Sequence, residues 1–418
     1  MKEMPKLNLE NSFSEFERAK SLIPGGVLGI RRPYNFVDGE FPIFYDNGKG
    51  GRVTDVDGNE CIDYLCAYGP IIIGNREEEI DNAVIEQIQT KGFCFSLTQK
   101  YQNLLAEKMK ELIPCSEMSV FVCTGSDATT TATRISRSYT GKKKILRCGY
   151  HGWHDWCVEV KGGIPEKLYE DVHEFHYNDI SSLENLLKEH GDDVAAVIIT
   201  PLGHPLALEM EEPTKGYLEA VKELTHKFGA VLIFDEIRTG FRVSIGGAQK
   251  YYGVTPDLAV FGKAMANGYP IGAVTGKAEI MKEIEHNVFL SSTFFPNSLS
   301  YVAALKTIEI MERDHVIETI WEKGRYYMDK VQALIDEYKI GARITGIPPM
   351  TFITFDKDKE KTYKAKRTDF YTQLIRRGVF QQPFHHGYIC YRHTKEDLDY
   401  TINAIKEAFE YIKEKYNL

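Results

Sequence analysis

AVLIFDEIRTGFRVSIGGAQKYYGVTPDLAVFGKAMANGYPIGAVTG, residues 230–276, decides how this chain reads. It opens on an apolar run, Val231 to Phe234, that is too short for a free-standing helix and rich in branched residues, which predicts a buried parallel strand. Asp235 and Glu236 follow at once. A second short apolar run, Leu258 to Phe261, ends in Gly262 and Lys263. In an open α/β sheet the carboxyl ends of the strands present groups to ligands. An amine placed there can form a Schiff base with an aldehyde, and a carboxylate can keep a pyridine nitrogen protonated. That pairing suits pyridoxal phosphate chemistry, although an Asp and a Lys after apolar runs also occur without any such role.

Working outward, the same strand-and-helix grammar repeats. Strand Ser119 to Cys123 leads to Thr124-Gly125-Ser126 and a helix opening at Asp127 and running to Tyr139. A small-residue turn at a helix start suits phosphate, because the N–H groups there are unpaired and the dipole is positive. Strands are expected at Lys144 to Cys148, Ala195 to Thr200 and Gly272 to Gly276. Helices are expected at 77–91, 100–112, 182–190, 215–228 and 298–313. Ahead of them lie a helix over 12–21 and a small meander over 44–65 with turn signals at Asn47-Gly48 and Asp57-Gly58. After His315 come a long helix to Tyr338, short strands near Ile344 and over Met350 to Phe355, a charged loop from Asp356 to Lys366, and a last helix from near Thr394. The resulting class is α/β, with domains at 1–66 (an N-terminal segment packing with the small domain), 67–314 (large) and 315–418 (small, α+β).

The runs FDE-x-x-TGFRV, GGAQ-x-YYGVTPDL and GK resemble the class III, fold type I aminotransferases, above all the glutamate-1-semialdehyde 2,1-aminomutases. The resemblance implies a fold type I transferase, a large domain with a mainly parallel sheet flanked by helices plus a smaller α+β domain, and pyridoxal 5'-phosphate as cofactor. It implies that Lys263 carries the cofactor and that Asp235 pairs with its ring nitrogen. Thr124, Gly125 and Ser126 line up with the family's SGTEA phosphate turn, with Asp127 in place of its glutamate. Tyr150 of the YHG motif would lie against the ring, with His151 beside it in a positioning role. Thr293, with Ser292 standing where the family has glycine, would contact the partner subunit's cofactor phosphate, which implies a homodimer with active sites at the interface. Arg32, after the PGGV run, would bind a substrate carboxylate, and Tyr68 would lie near the substrate. His385, in QQPFHHG, occupies the place of a common family acid. Arg238 is expected to read an anionic group on the substrate, or else to pair with Glu236 or another nearby acid. Thr200-Pro201-Leu202-Gly203-His204-Pro205 departs from the family's E-P-x-x-G-N, and His204 becomes a candidate for the cofactor's phenolic oxygen.

The expected function is amino-group transfer between a small, anionic amino donor and a carbonyl acceptor. The alternatives are an aminomutase, an epimerase or decarboxylase using the same lysine, and a catalytically silent binding protein, against which the retention of Asp235 and Lys263 argues. The composition agrees with this. A chain of 418 residues with 43% hydrophobic residues can build a substantial core. A net charge of −9 without a basic stripe argues against nucleic acid. Eight scattered cysteines form no zinc-like spacing, and His151 and His154 lack a further ligand at useful spacing, so no metal is expected. The N-terminus lacks a signal peptide's apolar core and no run is long enough to span a bilayer, which points to the cytoplasm.

Overall fold

The computed structural model describes residues 4–29, 37–203, 209–295 and 297–418. The chain forms two compact units: Met1–Glu77 with Ala207–Met210 and Glu318–Leu418, and Glu78–Leu206 with Glu211–Ile317. Residues 67–77, expected in the large domain, bond into the first unit. Tyr391 N–H donates to the Ile72 carbonyl and Arg392 N–H to that of Ile73, each at 2.8 Å, and Arg392 forms a two-pronged ion pair with the buried Glu77.

In the first unit, β1 (Tyr45–Lys49), β2 (Arg52–Asp55) and β3 (Glu60–Asp63) form an antiparallel meander. Its first turn is not at Asn47-Gly48. Lys49 pairs with Arg52, so Gly50-Gly51 makes the turn and Asn47 and Gly48 lie in the strand. Gly50 supplies the positive φ of 58° that a two-residue hairpin needs. The Asp57-Gly58 turn stands as read, with Gly58 at φ 86°.

The second unit carries a seven-stranded sheet made of β4 (Met118–Val122), β5 (Lys144–Cys148), β6 (Val172–Glu174), β7 (Val194–Ile199), β8 (Val231–Asp235), β9 (Leu258–Phe261) and β10 (Gly272–Gly276). Their order is β4-β10-β9-β8-β7-β5-β6. Pairing is parallel from β9 through to β6, and β10 runs antiparallel between β9 and β4. Every residue of β7, β8 and β9 is buried, which explains their unbroken apolar runs, since helices cover both faces of such a sheet. The helix Gly125–Thr140 buries Ala128, Ala132 and Ile135, spaced four and three apart, into the core with Ile145, Ala196, Ile198, Ile233 and Val260.

The rest of the first unit contains β11 (Ala342–Ile347), β12 (Met350–Phe355), β13 (Val379–Phe380) and β14 (Gly387–Tyr388). β12 pairs with both β11 and β14 in a three-stranded antiparallel sheet, and β13 joins β3 in parallel, Val379 opposite Ile62. The charged stretch expected to be a loop to Lys366 becomes a helix, Thr362–Ile375. The Asp358 carboxylate accepts the N–H groups of Thr362 and Tyr363 at 2.8 and 2.9 Å, so one of the charges that look like loop residues caps the helix. Among the described residues no helix is long and apolar enough to cross a membrane.

Candidate active site at the carboxyl edge of the large sheet

β8 and β9 are parallel neighbours with Asp235 opposite Val260. Lys263 lies three residues beyond Val260, so acid and amine leave adjacent strands at one edge of the sheet. Lys263 begins a single 3-10 turn, Lys263–Ala266, at φ 41°. A side chain held in the left-handed region costs about 1 kcal/mol or more, and such strain gathers at functional positions.

Asp235 is buried. One of its oxygens accepts from Ile237 N–H at 3.1 Å and the other faces His151 Nδ1 at 2.8 Å. A carboxylate only accepts, so Nδ1 carries the proton. The ring's other nitrogen, Nε2, is buried and has no partner. Thr129 Oγ1 donates to the His151 carbonyl at 2.7 Å, and the Trp156 indole lies parallel to the imidazole at 6.4 Å. His154 turns elsewhere: its Nδ1 meets Thr130 Oγ1 at 2.8 Å. The two imidazoles on either side of Gly152-Trp153 are thus committed to different groups.

The phosphate-type turn follows β4. Thr124 caps the helix reciprocally: its Oγ1 accepts from Asp127 N–H at 3.2 Å and donates to Asp127 Oδ2 at 2.7 Å, while Thr124 N–H meets the same carboxylate at 2.9 Å. The hydroxyl expected to serve an anion is therefore occupied by the cap. The Ser126 hydroxyl accepts from Trp153 N–H at 3.3 Å and keeps its own proton to give. A Cβ on Gly125 would stand 2.6 Å from the Ile237 Cδ1 methyl, so the turn packs closely against the segment after β8. Gly125, Asp235 and the Lys263 end of β9 thus converge on Ile237, whose side chain is also within 4.0 Å of the Cβ position of Gly262.

Tyr150 is 37% exposed; burial of the rest raises its phenol's pKa, and the nearby Arg238 cation opposes that. The alternative for Arg238, an ion pair with Glu236, meets a carboxylate already engaged. Glu236 is fully buried and accepts from Thr239 Oγ1 at 2.5 Å and from Ala248 and Gln249 N–H at 2.7 and 2.9 Å. Burial still pushes its pKa up against those bonds. Thr293 sits exposed in a turn whose next carbonyl, that of Phe294, accepts from Cys123 Sγ at 3.5 Å, one residue before the phosphate-type turn. Thr200, at the end of β7, keeps a buried hydroxyl with no partner against Gly149. Arg32 and His204 lie outside the described residues.

Within the first unit, Tyr68 and His385, which the sequence named 317 positions apart, meet edge to face at 5.1 Å. Gln382 Nε2 donates to Tyr68 Oη at 2.9 Å. Tyr388 Oη donates to the Tyr68 carbonyl at 3.3 Å, so His386 Nε2, 2.7 Å from the same oxygen, is the nitrogen that carries hydrogen. His385 Nδ1 donates to the His386 carbonyl at 2.9 Å. Sequence reasoning passed over Gln382, Tyr388, Trp156 and the Thr200 hydroxyl. The first two lie within three residues of His385, and Trp156 five beyond His151, so proximity to a candidate was the available signal.

An amine, a buried acid held by an imidazole, and a helix start closed by glycine are the groups that pyridoxal phosphate requires: an aldehyde partner, a counter-charge for the pyridinium, and an anion cradle. Comparison with known proteins agrees. The aminotransferase class-III family matches residues 34–409. The chain is 63% identical over 408 residues to the 3-aminobutyryl-CoA aminotransferase of Cloacimonas acidaminovorans (strain Evry), covering 98% of this chain and 99% of that protein. It is 36% identical to the glutamate-1-semialdehyde 2,1-aminomutase of Methanothrix thermoacetophila, covering 96% of each chain. In structure it is similar to the pyridoxal phosphate form of FumI from Sphingopyxis sp. MTA144 (TM-score 0.92, 29% identity, 97% of both chains). It is also similar to an omega-transaminase from Sphaerobacter thermophilus (TM-score 0.88, 26% identity, 96% of this chain and 98% of that one). The chain belongs to the class-III aminotransferases, pyridoxal phosphate-dependent enzymes of fold type I.

Proposed function

We propose that this aminotransferase takes the amino group from a 3-aminoacyl thioester of coenzyme A and passes it to a separate carbonyl acceptor. The observation that carries this is the gap in identity: 63% over nearly the whole chain to a 3-aminobutyryl-CoA aminotransferase, against 32–36% to aminomutases matched over similar lengths. Lys263 holds the cofactor and moves the proton at the substrate's amine-bearing carbon. Asp235, aimed by His151 Nδ1–H, is the counter-charge of the ring nitrogen. Gly125, Ser126 and the start of the helix Gly125–Thr140 bind the cofactor phosphate, and Tyr150 covers the ring. The cofactor itself supplies an electron sink. Arg32 and Arg238 read the anionic groups of donor and acceptor, and Tyr68 and His385 contact the substrate.

The working form is a homodimer with active sites at the interface. Supporting this, the second unit exposes Phe93, Phe95, Leu97, Phe289 and Phe294, on two segments joined where Ser298 N–H donates to the Phe93 carbonyl at 3.2 Å. An apolar surface of that kind marks an association site. All eight cysteines are free thiols, six of them buried, which supports residence in the reducing cytoplasm.

Single half-reactions test the function. 3-Aminobutyryl-CoA should convert the cofactor from its aldehyde to its amine absorbance with release of the 3-oxoacyl thioester, and a 2-oxo acid should reverse the spectrum. Turnover of glutamate 1-semialdehyde without any acceptor, and none of the thioester, would replace this reading with an aminomutase.

A further inference from the structure

Arg367, in the first unit, is a partly buried basic side chain. Among the described residues no acid forms an ion pair with Arg367, and its Nε is buried without a hydrogen-bond partner. Its guanidinium lies 4.5 Å from the ring centroid of Phe384, which is itself 42% exposed and immediately precedes His385. A guanidinium held over an aromatic face keeps the planar fork of N–H groups that suits two-pronged binding of a phosphate.

The surroundings extend the positive field. Lys364 precedes Arg367 by one turn on the helix Thr362–Ile375, and Lys361 stands at that helix's start; both are exposed, and neither has a carboxylate partner among the described residues. Residues 356–367 hold six basic and three acidic side chains in a chain whose net charge is −9, so this positive excess runs against the bulk composition. Of the three acids, Asp358 is turned inward on the N–H groups of Thr362 and Tyr363.

We propose that Arg367, stacked on Phe384 and backed by Lys364, is the anchor for phosphate on the carrier arm of an acyl thioester substrate. This rests on the thioester reading above. Lys364 and Lys361 add positive charge beside Arg367 toward the start of the same helix. The phosphate belongs to the free nucleotide carrier or to phosphopantetheine borne on a protein; the recognition chemistry is the same.

Coenzyme A and 4'-phosphopantetheine, titrated calorimetrically into wild-type, Arg367→Gln, Arg367→Lys and Phe384→Leu holoenzymes, test the anchor. Arg367→Gln should weaken coenzyme A roughly tenfold or more, the size of losing a charge-assisted hydrogen bond. Its preference for the coenzyme A thioester over the N-acetylcysteamine thioester, measured as a ratio of kcat/KM, should fall by the same factor. Arg367→Lys keeps the charge and loses the planar stack, so it should fall between, as should Phe384→Leu. Equal dependence on Arg367 for both probes assigns the anchor to the phosphate next to pantetheine; dependence for coenzyme A alone assigns it to the nucleotide. Coenzyme A affinity in Arg367→Gln within about twofold of wild type overturns the inference, with the retained cofactor spectrum serving as the check on folding. Thioester turnover that is insensitive to Arg367 would sink the anchor and leave the proposed function standing. Coenzyme A binding that needs Arg367 in an enzyme that turns over no thioester would do the reverse.

Discussion

At the scale of the residue, the sharpest chemical fact is the pairing of His151 Nδ1 with Asp235 at 2.8 Å in a pocket that excludes water from both. A buried carboxylate needs hydrogen-bond donors. The imidazole supplies one, with the His151 backbone tied by Thr129 Oγ1 and the ring parallel to Trp156. Replacing His151 with Phe should therefore leave Asp235 one donor short and reduce the half-reaction rate about 10–100-fold, the size of a lost hydrogen bond to a charged group. His151→Asn, which keeps an N–H near Nδ1, should recover part of it. An unchanged urea midpoint for the phenylalanine variant separates this from general damage. Lys263→Ala makes the complementary statement. Borohydride treatment of the holoenzyme should fix the cofactor on the peptide containing Lys263, and the alanine variant should yield no such adduct and lose transfer by at least about 10²–10⁴-fold.

At the scale of the element, the cap at Thr124 ties helix stability to the turn proposed to hold the cofactor phosphate. Thr124→Ala removes both directions of the bond with Asp127, so unfolding stability should drop by about 1 kcal/mol, and the cofactor should dissociate more readily because the turn carrying Gly125 and Ser126 loses its fixed entry. Urea titration and resolution of the holoenzyme by dialysis measure the two effects. If stability falls while cofactor retention is unchanged, the cap does not serve the cradle. The elements also show what a sequence discloses. Strands buried on both faces announce themselves by unbroken apolar runs, so β8, β9 and β10 lie within a residue of where the sequence places them. The helix Thr362–Ile375 was hidden because its cap, Asp358, sits among alternating charges that look like solvated loop. Gly50-Gly51 won the hairpin from Asn47-Gly48 because pairing of Lys49 with Arg52 leaves two residues for the turn. The strand-end acid and amine were legible because parallel register forces their neighbourhood. The Tyr68, Gln382, His385 and Tyr388 cluster was not, since nothing local brings residues more than 300 positions apart together.

At the scale of the whole molecule, the two units carry different risks. The second exposes large apolar side chains, Leu97 and Phe289 above all at 82% and 83%. Phe289→Asp with Leu97→Asp should shift the protein toward monomer in sedimentation, with cofactor retention falling in parallel if the active sites need the partner. The first unit carries a buried acid that works against it as pH rises. Asp63 accepts from Leu65 and Cys66 N–H at 2.9 and 3.0 Å, at the entry to three consecutive residues of positive φ, Cys66, Ala67 and Tyr68. Burial raises its pKa to about 6, and Cys66 N–H, the nearby His393 and Leu65 N–H only partly oppose it. The unfolded chain titrates near the ordinary aspartate value, so between about pH 4 and 6 the folded state binds the extra proton and stability falls as pH rises, by on the order of 2–3 kcal/mol in all. The lowered carboxyls of Asp257 and Asp397 act in the opposite direction, gaining stability as pH rises from below their unfolded range. The raw profile therefore mixes both signs, and only a difference isolates Asp63. Asp63→Asn keeps an oxygen for the two N–H groups and removes the titration. Its unfolding stability relative to wild type should rise between pH 4 and 7 by most of that amount, read from urea midpoints. Parallel profiles would mean that the carboxylate is compensated in the folded protein and that its burial does not set the pH response.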